Sequence, residues 1–197
     1  MSTNSRVAEH AIDPQFTERW SPRAFTGEAI APETLMSILE AGRWAPSAYN
    51  DQPWRFLYAY RDTPQWQAFV DVLIPFNQGW ARNAAALVLI ISRTTMTPPG
   101  KTEEIPSHSH SFDAGAAWAN IAAQAHLLGW ATHGMTGLDM EAAHRELGIP
   151  ANYRVEAMIA IGRQAVGDKV PEAMRAYEKP SDRKPLSEMA FEGAFPE

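Results

Sequence analysis

The 197-residue chain contains no cysteine. That absence excludes disulfides, thiol nucleophiles and cysteine-ligated metals, and it suits a reducing compartment, so a cytoplasmic protein is expected. Positive charge is not in excess. Seventeen Lys and Arg against 23 Asp and Glu leave a net charge of -6, which argues against nucleic acid or anionic lipid as partner. Long hydrophobic runs are missing as well. The longest, Ala84 to Ile91, is too short to span a bilayer, and "MSTNSRVAEHAIDPQF" lacks the apolar core of a signal peptide. No Gly-x-Ser-x-Gly elbow, glycine-rich phosphate loop or dinucleotide-binding fingerprint occurs, so neither a hydrolytic triad nor a dedicated nicotinamide domain is expected.

What is present has the balance of a folded globular chain, 45% hydrophobic and 20% charged. Without internal repeats or linkers, a single domain over residues 1–197 is expected. Pro32 and Glu33 open a helix with Leu35, Ile38, Leu39 and Gly42 on one face. "WRFLYAY" (Trp54 to Tyr60) reads as a strand, and Thr63 as the cap of a helix striped by Trp66, Phe69, Val70 and Leu73. Asn83 to Ser92 reads as a strand covered on both faces. Arg93 to Ser111 reads as a long polar loop of the kind that serves as a lid. Asp113 reads as the cap of an alanine-rich helix whose Gly115 allows another helix close. Gly129 to Gly137 is expected to be a glycine-punctuated loop, Asp139 to cap a further helix, and Val155 to Gly162 to be a buried strand. From about 179 to 197 the tail carries Leu186, Met189, Phe191 and Phe195 among charges, the pattern of an arm laid on a partner subunit. The class is α+β or α/β.

Three stretches offer chemistry. In "ERWSPRAF", Arg19, Ser21 and Arg23 alternate, so an extended segment projects them to one side. Two guanidinium groups and a hydroxyl suit a phosphate monoester; an exposed loop paired with carboxylates gives the same pattern. In "PSAYNDQPW", Ser47, Asn50 and Gln52 sit on a frame stiffened by Pro46 and Pro53. Such a loop suits a flat heteroaromatic ligand, or it merely caps neighbouring backbone. In "HGMTG", Gly134 and Gly137 permit close backbone approach to a ligand, or simply make a turn. His108, His110 and Asp113 stand near one another, but His126, His133 and His144 are scattered, so no metal site is expected. Most of the seven tryptophans read as core, with Trp44, Trp54 and Trp80 beside the candidate regions.

Taken in order, "RWSPRAF", "APSAYNDQPWRF", "DAGAAWANIAAQAHLLGWATHGMTG" and "DRKPLSE" resemble the nitroreductase family of FMN-dependent oxidoreductases, from about Glu18 to Glu188. The second motif is the specific one. The resemblance implies an α+β sandwich with a central mixed β-sheet flanked by helices, built as a homodimer with an exchanged C-terminal arm and FMN at the interface. It implies Arg19, Ser21 and Arg183 on the FMN phosphate, with Arg23 nearer the ribityl chain and pyrimidine edge. Pro46, Ser47, Ala48 and Asn50 of the other subunit would cover the isoalloxazine, and Met135, Thr136 and Gly137 would face its opposite side. Asn77 falls where some relatives place an asparagine against the pyrimidine. Trp80, with Arg82 nearby, stands where some relatives carry a second basic residue. The implied activity passes hydride from NADH or NADPH through flavin N5 to a small organic acceptor (nitroaromatic, quinone or enone-like) by a ping-pong mechanism. No side chain is catalytic in it, and Arg23 acts as electrostatic stabiliser. Alternatives are a flavin-binding storage or sensing protein with little turnover, and a metal-dependent hydrolase using His108, His110 and Asp113.

Overall fold

The most apolar strand sets the architecture of the computed structural model, which describes residues 6–196; the outermost residues of the expected 1–197 domain and 179–197 arm lie outside them. In β2 (Ala86–Arg93), Ala86, Val88 and Ile90 alternate with Leu87, Leu89 and Ile91, and both rows are buried. A strand apolar on both sides needs a helical layer on each face. β1 (Trp54–Tyr60) and β6 (Tyr153–Gly162) flank β2, and β5 (Ala131–Met135) pairs outside β6, giving a four-stranded sheet of order β1-β2-β6-β5.

On one face lie α2 (Pro32–Arg43) and α5 (His110–Leu127). Leu35, Ile38 and Leu39 of α2 and Ile121 and Ala125 of α5 join Val88 and Ile90 in one core cluster. Gly42 makes this contact possible, because a Cβ there would lie 2.7 Å from Ile121 Cγ1. Gly115, the glycine expected to admit a neighbouring helix, has nothing within 4 Å. The other face is covered by α3 (Trp66–Asp71), α4 (Pro75–Ala81) and α6 (Met140–Glu146), whose Trp66, Phe69, Trp80 and Ala143 pack with Leu87, Leu89 and Ile91. Asp139 caps α6 as expected, accepting the Ala142 N–H at 2.9 Å.

The α+β sandwich is as expected, but the sheet is not mixed: its ladders are all antiparallel among the described residues. The connections explain this. α3 and α4 return the chain from β1 to the same end of the sheet, where the Arg61 N–H bonds the Ala85 carbonyl at 3.0 Å. A parallel neighbour would need a crossover to the opposite end.

Other segments differ from expectation locally. Thr63 does not cap a helix; its hydroxyl donates to the Tyr60 carbonyl at 2.7 Å, and Pro75 then splits off α4 as a second short helix. The expected 129–137 loop is largely β5, with Gly134 letting the Trp118 ring of α5 sit close to the strand. α5 begins at His110, so Asp113 lies inside its first turn. The 93–111 connector carries a small hairpin, β3 (Thr95–Met96) with β4 (Ile105–Pro106); α1 (Gln15–Glu18), ahead of α2, and short 3-10 helices complete the described elements. No helix of the described residues is long and apolar enough to cross a membrane.

Candidate functional site

Residues 19–25 pass beside the end of β6 with a bend at Arg23, held there by the Thr26 N–H on the Arg163 carbonyl and the Ala165 N–H on the Ala24 carbonyl, both at 2.9 Å. Phe25 bridges to Gln164. This tether turns the alternation of Arg19, Ser21 and Arg23 into a real wall. With His133 of β5 and Tyr177, Lys179 and Arg183 of the C-terminal segment, they line a cavity of about 420 Å³ that Arg6 also reaches. No carboxylate is among its lining residues.

Cations held this closely raise one another's energy. Burial first, and then Arg6 and Arg183, push the Arg19 guanidinium below its ordinary value. Arg19 Nη1 donates to Ser21 Oγ at 3.4 Å. The Arg23 and Ala24 N–H groups both donate to Glu178, the second at 3.0 Å, and burial holds that carboxyl above its ordinary value. The Arg23 guanidinium lies over the Tyr177 ring at 5.6 Å, while its Nε is buried without a partner. His133 Nδ1 stands 3.0 Å from the Pro22 carbonyl, which can only accept, so this nitrogen carries the proton. The opposite neighbour of that ring is Trp80, 4.7 Å between centroids. A donor set of several guanidiniums, an ammonium and a hydroxyl without a carboxylate fits a phosphate dianion.

β5 leads from His133 to the second group. Met135 is buried in the core, and Thr136 and Gly137 follow at the strand end. Asn77, also buried, donates through Nδ2 to the Gly137 carbonyl at 2.9 Å, and the Ile74 N–H donates to the same oxygen at 3.1 Å. Asn77 and Trp80, three residues apart on α4, share the face that meets β5. Trp80 is thus core, 2% exposed, and Arg82 beside it bonds the Gln78 carbonyl.

The third group stands apart. Pro46, Ser47, Ala48 and Asn50 are absent from the cavity lining. Their loop enters β1, at the sheet edge opposite β5, three strand spacings or about 14 Å away. Trp54 anchors it by packing with Ala45 and with Ala117 of α5. Tyr49, Asn50 and Gln52 all have positive φ, and Ser47 Oγ accepts the Gln52 N–H at 3.0 Å. One chain therefore assembles Arg19, Ser21, Arg23 and Arg183, and joins Asn77 to Gly137, but leaves the 46–50 loop elsewhere.

Sequence reasoning missed Arg6, Lys179, Tyr177 and His133. The first three lie outside any motif and reach the cavity only because both chain ends pass it; His133 lay inside "HGMTG" but was passed over for the glycines. The histidine loop is otherwise engaged. His110 Nδ1 is 2.7 Å from Ser92 Oγ, Asp113 accepts from Ala48 and Ser109, and no three His, Asp or Glu among the described residues are grouped to hold a metal.

Comparison with known proteins follows the same lines. The family model described as the nitroreductase family matches residues 16–73 and 60–163. A solved oxidoreductase containing FMN is 46% identical, with a TM-score of 0.93, covering 100% of this chain and 98% of its own. A provisionally assigned nitroreductase of Desulfovibrio desulfuricans, solved in complex with FMN, is 28% identical with a TM-score of 0.70, covering 94% of this chain and all of its own. A protein of Archaeoglobus fulgidus, provisionally named NADH dehydrogenase/NAD(P)H nitroreductase, is 29% identical over 158 residues, 78% of this chain and 85% of that one.

Proposed function

The chain belongs to the nitroreductase family, and on that premise we propose that it is an FMN-dependent oxidoreductase carrying electrons from NADH or NADPH to a small organic acceptor. The observation that carries the reading is the carboxylate-free cavity where Arg19, Ser21, Arg23 and Arg183 converge with Arg6 and Lys179. Its donors match the terminal phosphate of FMN. The cofactor found in the 46% identical relative and in the Desulfovibrio protein supports this choice, and the name of the Archaeoglobus relative supports a nicotinamide reductant.

In this reading Arg19, Ser21 and Arg183 hold the phosphate, and Arg23 lies toward the ribityl chain and the pyrimidine edge of the ring. Bound there, FMN supplies two-electron chemistry at its ring. Arg23 places a fixed cation where negative charge gathers, and its backbone is pinned by Glu178 so that little reorganisation is needed. Asn77 fixes the Gly137 carbonyl and so sets the direction of the Met135–Gly137 backbone along one side of the ring. Pro46, Ser47, Ala48 and Asn50 come from a second copy, which makes the homodimer the working unit. A storage or sensing role has one observation in its favour: Trp80 is packed in the core and adds no cation to the site.

The test is a double variant, Arg19→Ala with Arg183→Ala. It is expected to lose FMN on purification while keeping the fold and subunit state of the parent. Stoichiometric flavin in the double variant would refute the phosphate assignment.

A further inference from the structure

The 46–52 loop has a backbone that its own residues do not favour. Tyr49, Asn50 and Gln52 have φ of 53°, 55° and 51°, the left-handed region that Asn tolerates but Tyr and Gln avoid. Such a segment persists when its surroundings over-determine it. Here the surroundings are the two ends of one connector, the 93–111 segment between β2 and α5. At its start, Arg93 Nη2 lies 2.7 Å from Asp51 Oδ1, and the Arg93 N–H donates to the Pro53 carbonyl at 2.9 Å. At its end, the buried Asp113 carboxylate accepts the Ala48 N–H at 3.2 Å and the Ser109 hydroxyl at 3.1 Å.

These two ties grip the loop on either side of Tyr49 and Asn50. They are not free to drift apart, because the connector's ends are joined to each other. Ser92 Oγ meets His110 Nδ1 at 2.7 Å, and the hydroxyls of Ser92 and Ser111 both donate to Glu156 of β6, the second at 2.7 Å. Arg93 and Asp51 are shielded, with side chains 26% and 11% exposed, so their pairing is screened less than a surface pair. Arg93 also reaches Glu104 at 3.7 Å, next to the β3–β4 hairpin.

We infer that Asp113 and Arg93 are positioning residues, which act through Ala48 and Asp51 to hold the 47–52 loop, with Tyr49, Asn50 and Gln52 left-handed, in the form that covers a flavin ring bound to the second copy. The inference rests on the FMN reading above. Neither residue touches the cofactor in it. Their effect is on the fraction of molecules whose loop is ready to bind, and apparent affinity scales with that fraction. The loop meets the ring and not the phosphate, so the clamp has a signature of its own: it acts equally on FMN and on riboflavin, which lacks the phosphate.

The experiment measures FMN and riboflavin affinity by flavin fluorescence, and amide hydrogen exchange at residues 48–52 without flavin. Asp113→Ala and Arg93→Gln are expected to weaken both flavins about 10-fold, the usual effect of losing a charge-assisted hydrogen bond, and to speed exchange across 48–52. Asp113→Asn keeps an acceptor for Ala48 and recovers most of the loss. Arg19→Ala weakens FMN and spares riboflavin. The inference is overturned if the clamp variants bind riboflavin as the parent does, or if exchange at 48–52 is unchanged. A parent protein that binds neither flavin sinks the proposed function instead, and the exchange rates alone then decide whether the clamp exists.

Discussion

At the scale of single residues, the cavity is a concentration of like charge held open by packing. His133 senses it. Burial is the first cause pushing that imidazole below its ordinary value of 6.5, with Arg23 and Arg19 adding to it against the pull of the Pro22 and Ser21 carbonyls. The unfolded chain takes up a proton near 6.5 that the folded chain refuses, so stability rises with pH across this range and is lost as pH falls below it. Thermal melts of flavin-free protein should therefore show Tm falling from pH 7 to about 5.5, with His133→Gln flattening the slope and inorganic phosphate reducing it. An identical slope in His133→Gln would show that another group carries the effect. The alternation of Arg19, Ser21 and Arg23 was legible because it is local. Arg6 and Lys179 were not, because nothing in either chain end encodes that the two meet.

At the scale of elements, the strongly patterned segments read correctly: α2 from its apolar face, β2 from its continuous run, α6 from Asp139. β5 was missed because Gly134 inside it, Gly129 and Gly137 on either side and an edge position mask a strand that pairs only with β6. α4 was missed because seven residues make barely two turns, too few for a period. The mixed sheet was implied by the resemblance alone, and a run as continuously apolar as β2, which fits a parallel strand as well, does not correct it. The close crossing of α2 and α5 rests on Gly42, where a Cβ would meet Ile121 Cγ1 at 2.7 Å and Phe56 Cζ at 3.0 Å. Gly42→Ala should destabilise the protein by about 1–3 kcal/mol, the usual cost of overpacking, measured by chemical denaturation. A neutral outcome would mean that α2 can slide away from α5 freely. Gly137→Ala tests the other layer: its Cβ would stand 2.7 Å from Asn77 Nδ2, within a buried bond worth roughly 1–2 kcal/mol. Loss of stability together with weaker FMN binding is expected, and unchanged flavin affinity would detach Gly137 from the site.

At the scale of the whole molecule, the cavity and the 46–50 loop occupy opposite edges of one sheet, and in the proposed reading a second copy brings them together. The surface agrees with this. Trp44, Tyr49 and Phe112 are 71%, 72% and 83% exposed, and Met189 and Phe195 of the tail are 54% and 84% exposed. Sedimentation should find a homodimer, and a chain ending before Lys179 should dissociate and lose FMN, since Lys179 and Arg183 leave with the arm. A monomer retaining stoichiometric flavin would rule out the shared site. The decisive measurement is simpler: the visible absorption spectrum of the purified protein, before and after anaerobic NADH or NADPH. A yellow protein whose flavin bands bleach on addition of the nicotinamide is expected. A yellow protein that does not bleach would contradict the oxidoreductase reading in favour of storage or sensing, and a colourless one that refuses added FMN would contradict the cofactor itself.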